Sequence, residues 1–108
     1  MRKLAIVIAS LMGIVSIPSL ATDDYGKIKK LYADHDGNIA VQLVGGFPNS
    51  NAANECPSNN GWAGHLNPDP LLKSALLAAK ASGVNVTLSI SGCANNWLKV
   101  NAVYIHEQ

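Results

Sequence analysis

Charge is scarce in this chain, and so are aromatic rings, histidines and cysteines. Its 108 residues carry 8 Lys or Arg against 7 Asp or Glu, a formal charge of +1. A surface so close to neutral lacks the basic field that holds nucleic acid or anionic membrane, and neither is expected as a partner. The three histidines, His35, His65 and His106, are dispersed. Zinc ligands usually come in local pairs, and neither Cys-x-x-Cys nor His-x-x-x-His occurs, so no metal and no cofactor is expected. Asp34-x-Asp36-Gly37-Asn38 has glycine at the fourth position and Gly45 at the twelfth. A calcium loop of the EF-hand type needs glycine at the sixth and a bidentate glutamate at the twelfth, so a hairpin turn is expected instead. Gly-x-Ser-x-Gly is missing, and Gly45-Gly46 leads into Phe47-Pro48 rather than into a phosphate-binding helix. The chain is not expected to be an enzyme.

Long apolar runs are confined to one place. Arg2 and Lys3 precede an apolar stretch from Leu4 to about Leu20, and Ser19-Leu20-Ala21 has the small-x-small form that signal peptidase accepts. A membrane anchor is the alternative. It fits less well, because Ser10, Gly13, Ser16, Pro18 and Ser19 interrupt the run and Asp23 and Asp24 follow it. Residues 1–21 are therefore expected to be a cleaved secretory signal, and residues 22–108 a single domain, secreted or periplasmic, with no membrane span. Loss of Arg2 and Lys3 changes the formal charge from +1 to −1. The sequon Asn85-Val86-Thr87 is attributed to chance, since Asn85 falls on an expected strand.

Two cysteines, Cys56 and Cys93, remain. In a small exported domain the simplest expectation is one disulfide, because the compartment is oxidising and a small core needs a staple. The rival is a reactive thiol with a histidine base, although neither cysteine lies in a recognisable nucleophile context.

The clearest stretch runs from Asp69 to Cys93. Asp69 suits an N-cap and Pro70 the first helical position. Leu72, Ala75, Leu76 and Ala79 recur as one apolar stripe, which Leu71 and Ala78 would widen, with Lys73, Lys80 and Ser82 facing water. Gly83 should end the helix in a left-handed conformation. Val84, Val86, Leu88 and Ile90 then alternate with polar residues, the pattern of a half-buried strand. Ser91-Gly92 is expected to turn the chain at Cys93, and Ala94 to Lys99 to form a polar loop. Val100 to His106 should be the last strand, with Val103 and Ile105 inward.

Earlier in the chain, Thr22 to Tyr25 is expected to be a polar lead-in and Lys27 to Ala33 a strand. Asp36-Gly37 predicts a hairpin turn, and Ile39 to Val44 a second strand with Ile39, Val41 and Leu43 on one face. The Gly-, Asn- and Pro-rich segment 45–68 is too long to be wholly structureless, so a short third strand is expected near Trp62 to Leu66. The resulting order β-β-β-α-β-β is that of the OB-fold, a five-stranded barrel with one helix between its third and fourth strands. The expected fold class is thus mainly β with one helix (α+β), an OB-fold-like small barrel with one disulfide. An open antiparallel sheet crossed by one helix has the same elements.

The residues Gly26-x-Ile28, Gly37-Asn38-Ile39-Ala40-Val41, Cys56, the run from Leu76 to Val86, Ser91-Gly92-Cys93 and Val103-x-Ile105 form a familiar pattern. The chain resembles a group of small exported bacterial proteins similar to the B subunits of subtilase-cytotoxin and typhoid-toxin type assemblies. The resemblance implies an OB-fold and a homo-oligomeric, pentameric ring. It further implies a cell-surface glycan as ligand and a catalytic A subunit as partner. It transfers no sugar-contacting residue onto this chain.

One constellation in the residues themselves favours binding. Asn59, Asn60 and Trp62 follow Cys56, and Asn95, Asn96 and Trp97 follow Cys93. A disulfide would bring these two Asn-Asn-aromatic loops together. Amides beside a flat ring suit sugar hydroxyls and the apolar face of a pyranose. The plainer account, which ranks first, packs Trp62 and Trp97 over the disulfide as a small core, with the asparagines as turn residues. A non-catalytic glycan-binding module and a structural or interaction protein of the cell envelope, such as an assembly subunit or inhibitor, are the two functions the sequence supports.

Overall fold

The computed structural model describes residues 21–107. Apart from Ala21, the expected leader lies outside these residues. The described chain runs β1 (Thr22–Ala33), β2 (Ile39–Leu43), α1 (Pro48–Ala52), β3 (Ala63–His65), α2 (Pro70–Ser82), β4 (Asn85–Ala94) and β5 (Trp97–Ile105). It is a mixed α+β fold of five strands with one main helix. The strands pair in the order β1-β2-β3-β5-β4, and β4 returns to β1, so the sheet is a closed barrel and not an open sheet. Each pairing is antiparallel except that of β3 with β5. The element order departs from expectation at α1, a single turn in the segment between β2 and β3 that carries no helical periodicity.

Closure depends on β1. Its first half, Thr22 to Lys27, pairs with β4, and its second half pairs with β2. The register shifts between Ile28 and Lys30, where Lys29 is extra. A bulge bends a strand and sharpens its twist, which lets one strand serve two edges of the barrel. The expected polar lead-in is therefore strand, and β1 starts five residues before Lys27. Its polarity has a structural cause at Asp24, which is buried. The Asp24 carboxylate accepts bonds from the Asn49 and Ser50 amides at 2.9 and 3.0 Å and from the Ser50 hydroxyl at 2.6 Å. The capping residue of α1, Phe47, supplies no side-chain bond of its own, so β1 caps this helix from a distance.

The core follows the alternation. Ile39, Val41 and Leu43 of β2 meet Val86, Leu88 and Ile90 of β4, all buried. In β5 the inward residues are Leu98 and Val100, with Val103 partly buried against the same cluster. Ile105 keeps the face of its partner Val86 but occupies the last position of the strand and is 48% exposed. The expected turn at Ser91-Gly92 is instead an irregularity within β4, and the expected loop 94–99 is a tight hairpin in which Ala94 pairs with Trp97. Both differences arise because the asparagines, not the Ser-Gly pair, take the turn: Asn95 has φ 56°.

Helix α2 begins and ends as expected. An Asp69 carboxylate oxygen accepts the Leu71 amide at 2.8 Å, and Gly83 closes the helix with φ 70°. Leu76 and Ala79 enter the barrel core, with Leu72 packed beside them. The stripe is narrower than expected, since Leu71 is 77% exposed and Ala78 is exposed as well. The helix meets mainly β1 and β5, and only a narrow side of it finds the interior.

Two substitutions test this account. Asp24→Ala should lower stability by about 3 kcal/mol, since it strands buried amides that had a charged acceptor. An unfolding midpoint within the error of the native chain would show that α1 does not need Asp24. At Gly64 a methyl group would overlap the Ile39 carbonyl oxygen and Ala40 Cα. Gly64→Ala should therefore cost about 1–3 kcal/mol through overpacking, read as a lower denaturant midpoint at unchanged slope.

Candidate functional site

The disulfide brings the two Asn-aromatic loops together. Cys56 and Cys93 are bonded, with their Cα atoms 5.1 Å apart. Cys56 is buried in the core cluster, whereas Cys93 faces outward from β4. Beyond this bond the loops are joined by main-chain bonds. The Asn60 amide donates to the Asn96 carbonyl at 2.9 Å, and the Leu98 amide to the Trp62 carbonyl at 3.0 Å. Trp62 precedes β3 and Trp97 opens β5, so the parallel pairing of Ala63 with Leu98 makes the two tryptophans neighbours in register.

The sequence reasoning missed the residue that joins them. The Tyr32 ring lies 6.4 Å from Trp62 and 5.7 Å from Trp97, both near edge-to-face. Such pairs add about 0.5–1.5 kcal/mol beyond their area. Tyr32 stands on β1, so its ring has to reach across β2 toward β3 and β5. The register makes this possible: Tyr32 is opposite Ala40, and Ala40 is opposite Gly64, the two smallest residues of that row. The sequence marks Lys27 to Ala33 as a strand, but only the pairing shows that the neighbours of Tyr32 are small. The three rings form a platform outside the barrel, apart from the buried core cluster; Tyr32 is 43% exposed and both indoles are half-buried.

The asparagines divide into two kinds. Asn59 donates to the Asn51 side chain and the Cys56 carbonyl and accepts the Gly61 amide. Asn60 accepts the Trp62 amide through its side-chain oxygen. Asn95 holds the left-handed turn position. These three shape the loops. The Asn96 side chain is exposed at the platform's edge and has no hydrogen-bond partner among the described residues. Gln42, also not foreseen, donates to the Gly61 carbonyl at 3.4 Å and borders the same loop.

The β1–β2 hairpin adds one charged group. Asp34 accepts bonds from the Asp36 and Asn38 amides on one carboxylate oxygen, and from the Tyr32 hydroxyl and Asn38 side chain on the other. Desolvation opposes ionisation of Asp34, but the bonds from Asn38, Tyr32 and Asp36 together hold its carboxyl below the ordinary range. The same bond and the Asp34 charge, with desolvation and Asp36 adding to them, push the Tyr32 hydroxyl up. The loop expected to be a hairpin turn is one, with Gly37 at φ 92°.

The histidines stay apart. His35 is in the hairpin loop, His65 ends β3, and His106 lies against Tyr25 with ring centroids 5.4 Å apart and the rings tilted. Among the described residues no group of three or more His, Cys, Asp or Glu side chains could hold a metal ion. No helix among them is long and apolar enough to cross a membrane. Comparison of the chain with protein-family models, with curated proteins and with solved structures finds no match.

Cys93→Ser and the double Cys56→Ser/Cys93→Ser variant should lose the same stability, about 3–4 kcal/mol. Different unfolding midpoints for the two would show a further role for one sulfur. For the hairpin, the lowered Asp34 value means that its contribution is complete above the ordinary aspartate value of 3.8 and is lost as pH falls through the lower folded one. Tyr32→Phe removes one bond to the carboxylate. The Asp34 midpoint, followed by carboxyl NMR, should rise in that variant, and an unchanged midpoint would contradict the assignment.

Proposed function

We propose that the chain is an exported, non-catalytic binding module of OB-fold type, and that its ligand is a glycan held on the Tyr32–Trp62–Trp97 platform. The observation that carries this is the position of the three rings: Tyr32 meets both indoles edge-to-face outside the core, and all three side chains are at least partly exposed. Flat apolar surface beside side-chain amides is the chemistry that grips a pyranose, whose ring face is apolar and whose edge is hydroxyl. Asn96 and Gln42 would supply the amide rim. The barrel order and the place of α2 before β4 support the OB-fold assignment, and in that fold the face of the second and third strands with the adjoining loops is where oligosaccharides bind. The disulfide agrees with a secreted or periplasmic setting.

The toxin-type resemblance extends this proposal to a pentameric ring with an A subunit. A second function, an assembly subunit or inhibitor of the cell envelope without a sugar ligand, draws support from Asn59, Asn60 and Asn95, whose side chains or backbone serve the loops themselves.

A glycan array probed with the purified exported protein separates the two. Trp97→Ala should weaken the bound glycan at least about tenfold, which is 1.4 kcal/mol. It should lower stability by clearly less than the roughly 3–5 kcal/mol of a Trp→Ala change in a core, since the ring is only half-buried. Absence of any glycan binding, or a stability loss of core size in Trp97→Ala, would favour the structural function. Light scattering tests the ring: a monomer would exclude it.

A further inference from the structure

Glu55 is a half-buried carboxylate that is well supplied with hydrogen bonds and has no cationic side chain beside it among the described residues. One oxygen accepts the Thr22 hydroxyl at 2.6 Å, and the other accepts the Gly92 amide at 3.2 Å. Its own amide donates to the Ser50 carbonyl, and the next residue, Cys56, is tied to Cys93. The carboxylate is thus held in place from three sides. Among the described residues the one Lys, Arg or His side chain within 4.0 Å of a carboxylate is His35, beside Asp36, so none of them neutralises Glu55. A partly buried anion ordinarily has a cation beside it.

The residue on which Glu55 converges is the first of β1. It directly follows Ser19-Leu20-Ala21, the expected cleavage motif. We propose that hydrolysis of the Ala21–Thr22 bond creates the missing cation: the new α-ammonium of Thr22 pairs with Glu55 and locks the start of β1 to the disulfide loop. This rests on the N-terminus being a cleaved leader. In the uncleaved chain the Thr22 nitrogen is a neutral amide. Hydrolysis by a signal peptidase consumes one water, leaves a carboxylate on Ala21 and an amine on Thr22, and that amine takes up a proton at neutral pH. The covalent geometry of threonine keeps its nitrogen within about 4 Å of its own hydroxyl oxygen. That hydroxyl lies 2.6 Å from Glu55, so the ammonium is at most roughly 6–7 Å from the carboxylate, at or near the range, about 4–6 Å, over which an opposite charge stabilises it.

Other charges near this terminus are few. Asp24 is buried and already occupied by the α1 amides and Ser50, and Asp23 is exposed. Helix α1 carries no charged residue, and across the strand pair Thr22 faces Ile90. Among the described residues Glu55 is the one carboxylate that accepts a hydrogen bond from Thr22.

The test uses the full chain, expressed with its own leader in a bacterial host and purified after export. Intact mass is expected to match residues 22–108. The Thr22 α-amine, followed by NMR or by its rate of acylation against pH, should titrate above the ordinary range of about 7.7–8.0. In Glu55→Gln, which keeps the hydrogen-bonding shape, the midpoint should return to that range. A mass with a different first residue overturns the cleavage and the lock together. The expected mass with an ordinary midpoint, or a raised midpoint that survives Glu55→Gln, overturns the lock alone.

Discussion

A strand of three residues, Ala63–His65, has to bridge β2 and β5 if the barrel is to close. So short a strand has little pairing energy of its own, and a polar, glycine-rich segment leads into it. Three constraints hold it there. The Cys56–Cys93 bond fixes the start of that segment to β4, the main-chain bonds from Asn60 to Asn96 and from Leu98 to Trp62 align it with β5, and Gly64 lets its backbone approach β2. The disulfide reduces the freedom of the unfolded loop, and the close approach at Gly64 tolerates no side chain. The rest of the barrel, including the packing of Leu76 and Ala79 into its interior, presupposes that closure.

The same constraints make the outer surface. Because β3 and β5 run parallel, the residues just before their first paired positions, Trp62 and Trp97, are neighbours in register. Because Ala40 and Gly64 are small, Tyr32 can cross β2 to reach them. Asp34 then holds the Tyr32 hydroxyl from the hairpin while Asn38 of that hairpin accepts the Asn67 amide, so the platform is linked to the segment that leads into α2. A ligand arriving there would meet rings already fixed by their neighbours, which limits the side-chain entropy lost on binding.

Two acidic residues secure the start of β1. Asp24 caps α1, and Glu55, four residues before Asn59, holds Thr22 and Gly92. Both are polar groups that a pattern of alternating hydrophobicity assigns to solvent. The strand that contains Asp23 and Asp24 was illegible for this reason: the Thr22 and Asp24 side chains are satisfied by partners more than twenty residues away, and local sequence carries no trace of them. The short helix α1 was hidden likewise, since its cap comes from β1 and not from Phe47.

Where order depends on neighbours in sequence, the chain alone was enough. Asp69, Pro70 and Gly83 bound α2 through local capping, and the alternation of Val84 to Ile90 and of Ile39 to Leu43 places their inward faces correctly, because side-chain direction in a strand reverses at each residue. The sequence also singled out the two loops that the disulfide joins. Tertiary structure alone decided the closure, the doubled use of β1, the exposure of Ile105 at a strand end, and the Tyr32 bridge. Each of these depends on register between distant segments, and register is set by which side chains are small enough, or charged in the right place, to meet.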